Sequence, residues 1–364
     1  MKRLARFTGA AILALAATAV AFNVWSDGLP QNVFNRAVAS TAIPLAVLGD
    51  SNSHSYQDSV AFPPGSSARG GAFRSRTFNW TEVLARLRPA EVDSGPWVAW
   101  GSAGLLAAGR EAMGLDAARA PRKEDYLYNF ANSGAGCGNL MTGRFRQAPR
   151  LVALMNKEPE RWQRGMVVIR IGLNDWTPLL DVQARSPDAA QLTAVTRGCV
   201  DPLRAAVTLI HASHPATKIL IVGIANEADG AAQRNHWVSA VERSNIQSAL
   251  TGFNGALRTL AESTPNAAFF DDAAWFSQRW GTRGSAPEPA FKTVTVGGHF
   301  VVTNSNGDDP HNALLADDHA GLVFNALWAQ SLVARLREAF KLPLTPITDD
   351  EVARFVLPLV KPAH

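Results

Sequence analysis

Five short, continuously apolar runs punctuate the chain, at Ile43–Leu48, Tyr126–Phe130, Met166–Ile171, Lys218–Ile224 and Ala267–Phe270. Unbroken rather than alternating apolar character is what a strand shows when both faces of its sheet are covered. Between these runs apolar residues recur every three or four positions. That spacing predicts helices at Trp80–Leu87, at Val200–His211 and over a longer segment ending near Leu260, where Ile246, Leu250, Phe253, Leu257 and Leu260 form one stripe. A further stripe, Leu322, Ala326, Ala329, Val333, Leu336 and Phe340, predicts a closing helix. Strands alternating with helices predict an α/β fold, a three-layer α/β/α sandwich around a mostly parallel five-stranded sheet. Thr293–Val296, Gly297-Gly298 and His299–Thr303 read as a small hairpin insertion. A chain of 364 residues, 47% of them hydrophobic, can bury a large core. One domain is expected over residues 40–340. A tail over 341–364 is expected to pack on it, with Thr348-x-x-Glu351 as a capping box before a short helix.

The polar residues that follow the apolar runs carry the candidate chemistry. Gly49-Asp50-Ser51 stands directly behind the first run, where a serine at the carboxyl edge of a parallel sheet is presented to solvent. The glycine-rich segment Asn129–Gly138 follows the second, and glycines let backbone N–H groups approach a ligand closely. Gly172-Leu173-Asn174-Asp175 follows the third and offers a neutral side-chain donor. The acidic run Asp308–His319, with two histidines, precedes the closing helix.

Taken together, these four segments resemble the SGNH (GDSL-type) serine esterase/hydrolase family, whose Ser, Gly, Asn and His lie on four separate blocks. The matching positions are Ser51, Gly134, Asn174 and His319, and the resemblance spans roughly residues 43 to 340. It implies the flavodoxin-like SGNH hydrolase fold and hydrolysis of acyl esters. Ser51 would be the nucleophile, His319 its base and Asp317 the residue orienting the imidazole; the Ser51 and Gly134 N–H groups and the Asn174 side chain would form the oxyanion hole. Two departures stand out. Asn52 replaces the leucine of the GDSL name, and the family's Asp-x-x-His spacing occurs at Asp308–His311, not at His319. His319 is preferred because Gly321 and the apolar stripe behind it match the start of the family's closing helix. Asp318 is the fallback orienter, and His311 with Asp308 the competing pair. No G-x-S-x-G is present, which disfavours the α/β-hydrolase elbow.

The N-terminus reads as an export signal. Lys2, Arg3 and Arg6 precede the apolar segment Phe7–Phe22, and Ala19-Val20-Ala21 is a small-x-small site. Residues 1–21 are therefore expected to be a signal peptide of a secreted or periplasmic protein, the alternative being an uncleaved membrane tether. Cleavage would remove three positive charges and lower the net charge from +4 to +1, so the basic balance does not argue for a nucleic-acid partner. Two cysteines in an exported chain suggest one disulfide, Cys137–Cys199, the alternative being two buried thiols. No cofactor is called for, and no cluster has zinc-ligand spacing. The loop-like stretches Ser59–Arg76 and Gly95–Arg122 are candidates for substrate specificity, Trp176 for the pocket wall, and Arg144, Arg146 and Arg150 for a solvated helix start. The expected substrate is a small-molecule, glycan or lipid ester. An O-acyltransferase acting on glycans, or a catalytically degraded carbohydrate-binding protein, are the alternatives.

Overall fold

The computed structural model describes residues 41–115, 118–283 and 290–361. The expected signal peptide lies outside these residues.

Five strands form the central sheet in the spatial order Val92–Asp93, Ile43–Gly49, Met166–Arg170, Lys218–Val222, Ala267–Phe270, and every pairing in it is parallel. Alternation along each strand divides the core. Ala46, Leu48, Val167 and Ile169 face one apolar layer, while Leu45, Val47, Met166 and Val168 face the other. The first layer is closed by helices Gln147–Met155, Ala190–Ser213 and Ala240–Glu262, the second by Trp80–Leu87 and Leu322–Phe340. Burying a leucine-sized side chain completely is worth roughly 1.5–3 kcal/mol, so two such layers account for the fold's stability against chain entropy. The result is the α/β/α sandwich that the pattern of apolar runs implied.

Three details differ from the sequence reading. Tyr126–Phe130 is not a strand of the central sheet. Tyr126 ends the strand Lys123–Tyr126, which pairs antiparallel with Trp97–Trp100, and the residues after it touch the sheet through a single bridge between Val47 and Asn129. Its edge place is taken by Val92–Asp93, a strand too short to leave a periodic signal. The helix expected at Val200–His211 begins ten residues earlier, at Ala190, and Pro202 lies within it. Arg150, expected on a solvated helix start, is 1% exposed and holds Glu111 at 2.5 Å and the Arg144 and Phe145 carbonyls at 2.6 Å.

The hairpin insertion is present as Thr293–Val296 against Phe300–Asn306, with Asn312–Leu314 added in parallel. The tail helix Asp349–Val360 starts as expected at Thr348, whose hydroxyl accepts from the Glu351 N–H at 3.2 Å. Glu351 does not close the reciprocal half of a capping box; its carboxylate binds Arg88 instead, at 2.5 and 2.9 Å. Cys137 and Cys199 form a disulfide, both fully buried. It joins the glycine-rich loop to the middle of the Ala190–Ser213 helix rather than to its start.

Candidate active site

The first strand delivers Ser51 by a turn that only a small residue permits. A Cβ on Gly49 would lie 2.5 Å from the Arg170 carbonyl of the neighbouring strand. The Gln147 side chain clamps Gly49 from the other layer, accepting its N–H and donating to its carbonyl, both at 2.8 Å. Asp50 then turns inward, 1% exposed, and accepts the Asn52 N–H at 2.9 Å. Ser51 is left half-buried at the sheet's carboxyl edge. Arg170 braces the turn from below, bonding Asp272 at 2.7 Å and the Asn52 carbonyl at 3.3 Å with its guanidinium over Trp328.

Gly134 sits in the glycine-rich loop at φ +75°, a left-handed conformation that favours glycine, and its surface is open. The Asn174 block holds this loop. Asn174 donates to the Ala135 carbonyl at 2.9 Å, and Asp175 accepts the Cys137 N–H at 2.8 Å. The disulfide fixes the same loop from behind.

His319 lies on the loop before the closing helix, which begins at Leu322 with Gly321 ahead of it. Asp317 and His319 meet directly in spite of the irregular spacing. His319 Nδ1 is 2.8 Å from the Asp317 carbonyl and 3.2 Å from its Oδ1. The bend between them falls on Asp318, at φ +63°. Burial alone would raise the Asp317 carboxyl. The hydrogen bond and charge of His319, with the N–H and guanidinium of Arg69, outweigh it and hold the group well below the usual carboxylate range. Tyr56, next to the nucleophile turn, donates to the Ala320 carbonyl at 3.0 Å and ties the two loops together. Among the described residues, neither Ser51 Oγ nor His319 Nε2 makes a hydrogen bond with the protein, so the Ser51–His319 hydrogen bond that the proposed roles call for is not formed in this structure.

The competing pair is not assembled. His311 is exposed, bonds the Val301 carbonyl at 2.6 Å and stacks on Phe300. Asp308 accepts the Ala316 N–H at 3.1 Å. Asp318 faces Asn306 rather than the imidazole. Trp176 is a core residue, 2% exposed and packed on Phe253, not a pocket wall.

Sequence reasoning passed over one important side chain. Arg69, in the Ser59–Arg76 loop, places Nη1 2.5 Å from Asp317 Oδ2 and 2.9 Å from His319 Nδ1, and Nη2 3.2 Å from Ser133 Oγ. A guanidinium only donates, so Asp317 accepts from it, and the role of His319 Nδ1 between the two depends on its tautomer. Nothing in the spacing of the chain distinguishes this arginine from Arg74 or Arg76.

A cavity opens beside these groups. Its lining includes Asp50, Asn52, Asp318 and Ala320, the chain neighbours of Ser51 and His319, but neither Ser51 nor His319 itself. Glu227 and Asp272 complete an acidic wall. Burial pushes Asp50 up to about 6, and burial with the charges of Asp318 and Asp50 pushes Glu227 up to about 7. Among the described residues, Cys137, Asp175 and Cys199 cluster within reach of one another, but the sulfurs are consumed in the disulfide.

The sequence model of the GDSL-like Lipase/Acylhydrolase family matches residues 45–278, more than half of the chain. The chain belongs to this family. It is accordingly a carboxylic ester hydrolase with the SGNH hydrolase fold. No curated protein matches the sequence. Among solved structures, it is similar to one described as a GDSL-like lipase from Parabacteroides merdae, with 16% identity, 83% of this chain and 97% of that one covered, and a TM-score of 0.39. It is similar too to a point mutant of an acetyl-xylooligosaccharide esterase from Geobacillus stearothermophilus, at 14% identity, 83% and 96% coverage and a TM-score of 0.38. A third is an extracellular lipase from Streptomyces rimosus, at 17% identity, 72% and 92% coverage and a TM-score of 0.35.

Proposed function

We propose that this hydrolase cleaves acyl esters outside the cytoplasm by attack of Ser51 on the ester carbonyl. His319 Nε2 takes the Ser51 proton and returns it to the leaving alcohol, because a serine hydroxyl is a poor nucleophile at its own pKa. Asp317, kept ionised by Arg69, accepts the Nδ1 proton, which fixes the tautomer with its lone pair on Nε2 and stabilises the imidazolium. The Ser51 and Gly134 N–H groups and the Asn174 amide receive the oxyanion. Water then repeats the sequence on the acyl-enzyme.

The observation that carries this reading is the contact of His319 Nδ1 with Asp317, 3.2 Å from its Oδ1, on the loop ahead of the closing helix that Tyr56 ties to the Ser51 turn. The direct Asp317–His319 contact supports a working pair over a degraded site. Export rests on the N-terminal pattern of residues 1–21 and agrees with a disulfide, which persists in oxidising compartments.

Hydrolysis of p-nitrophenyl esters of graded chain length tests the assignment and reads the acyl preference. His319→Ala should lose activity by several orders of magnitude and His311→Ala by less than threefold. The reverse order would make Asp308–His311 the working pair. Adding a sugar acceptor to the same assay separates hydrolysis from acyl transfer.

A further inference from the structure

A second hydroxyl–imidazole–carboxylate array lies next to the first. His54 is 3% exposed, and its Nε2 is 2.7 Å from Oδ2 of Asp58, which is fully buried. Asp58 Oδ1 accepts the N–H groups of Val60, Ala61 and Glu124 at 2.9, 3.0 and 3.0 Å. Three backbone donors and the imidazole outweigh the burial of Asp58 and hold its carboxyl below the usual range. An ionised Asp58 accepts a hydrogen bond from Nε2–H, so Nδ1 of His54 carries the lone pair. That lone pair faces Ser133, with the hydroxyl at 3.1 Å and the N–H at 3.2 Å. Burial and the charge of Lys123 push His54 down, leaving it a neutral acceptor.

Ser133 is not sealed in the core. It is half-buried, and its neighbour Gly134 is exposed. Arg69 Nη2 donates to its Oγ at 3.2 Å, and so favours negative charge on that oxygen. The same guanidinium reaches Asp317 and His319 through Nη1, so one arginine joins both arrays.

We propose that Ser133 is a second acylable serine, with His54 as its general base and Asp58 orienting the imidazole, and that it accepts acyl groups from carboxylic ester donors. In that step Ser133 Oγ forms a bond to the acyl carbon while its proton passes to His54 Nδ1. The acyl carbon–oxygen bond of the donor breaks, and the proton moves from His54 to the departing alkoxide. The products are an O-acylated Ser133 and a free alcohol, with no oxidant or cofactor involved.

The test is peptide-mapped labelling of the full-length protein with an alkyl fluorophosphonate. Four forms are compared: wild type, Ser51→Ala, Ser51→Ala with His54→Asn, and Ser51→Ala with His319→Ala. The amide oxygen of His54→Asn can still accept the Ser133 N–H, and His54→Gln serves as a second variant if the first fails to fold. The expected result is an adduct on Ser133 in folded Ser51→Ala protein. Its rate should fall about 100-fold or more without His54, the usual share of a general base, and fall by far less without His319, which reaches Ser133 only through Arg69. Absence of a Ser133 adduct in folded Ser51→Ala protein, or a rate independent of His54, overturns the proposal. An adduct on Ser51 of the wild type with none on Ser133 sinks this inference alone, whereas no adduct on either serine sinks the proposed mechanism as well.

Discussion

Replacing both Cys137 and Cys199 with alanine should destabilise the protein strongly while leaving chemistry largely in place. The bridge closes a loop of 62 residues. In the loop-entropy account, a closure of that length removes about 14 cal/mol/K from the unfolded ensemble, or about 4 kcal/mol at 25 °C. Domains of 150–250 residues lose about 2–4 °C of melting temperature per kcal/mol, and the lower end applies to larger domains, so a fall of about 8 °C is expected. Both sulfurs are fully buried, and the small voids left by alanine add to the loss rather than offset it. The loop that carries Gly134 keeps two other ties, Asn174 to the Ala135 carbonyl and Asp175 to the Cys137 N–H, neither of which needs the sulfur. Ester hydrolysis well below the new melting temperature should therefore fall less than about tenfold. Calorimetry or circular dichroism melts of the oxidised wild type and the double variant, with kcat measured at 20 °C, check both halves. A melting temperature within about 2 °C of the wild type would refute the stabilising role. A collapse of kcat in a still-folded variant would show that the bridge, not the Asn174 block, sets the oxyanion loop.

Arg69→Met should reduce kcat by about 10- to 100-fold with little change in KM, because Asp317 loses the Arg69 guanidinium and keeps only the backbone N–H of residue 69, so the carboxylate that orients His319 is held less firmly; unchanged kcat would make Arg69 a purely structural residue. Asn174→Ala should cost about 100- to 1,000-fold in kcat if its amide receives the oxyanion, and an effect confined to KM would remove it from that role. Asp50→Asn should stabilise the protein at pH 8 relative to pH 4. The folded-state pKa of Asp50 is raised from 3.8 to about 6, so its stabilising contribution is present below 3.8 and lost as the pH rises through about 6. Two pKa units correspond to about 3 kcal/mol as an upper figure, read by urea unfolding at the two pH values; equal effects at both would show that Asp50 is not a buried, reluctant acid.

The parts of the structure that could be read from the sequence are those set by local pattern. The runs at Ile43–Leu48 and Lys218–Ile224 announced central strands because both faces are buried, and the stripe from Leu322 to Phe340 marks a helix with those same ends. Ser51 and Asn174 could be placed at the ends of central strands, and Gly134 in a turn with φ +75°, because those positions constrain residue type. Gly321 was legible for a steric reason: a Cβ there would meet the Asn312 and Ala313 carbonyls at 2.9 Å. What escaped was decided by tertiary contact. Val92–Asp93 holds the sheet edge with two residues and no periodicity. Arg69 and Ser133 meet across 64 positions, and Arg150 is drawn into the core by Glu111 39 positions away. The His54–Asp58 pair was closer to hand, since an i,i+4 histidine and aspartate directly behind Gly49-Asp50-Ser51 is a visible signal that the two histidines near the closing helix overshadowed.

The claim that Ser51 is the nucleophile is tested most directly by steady-state hydrolysis of a p-nitrophenyl ester by folded Ser51→Ala protein. With the hydroxyl gone, Asp317–His319 and the oxyanion donors have no group to activate, and kcat should fall at least about 1,000-fold while the melting temperature stays within a few degrees of the wild type. A folded Ser51→Ala protein that keeps wild-type turnover would contradict the account.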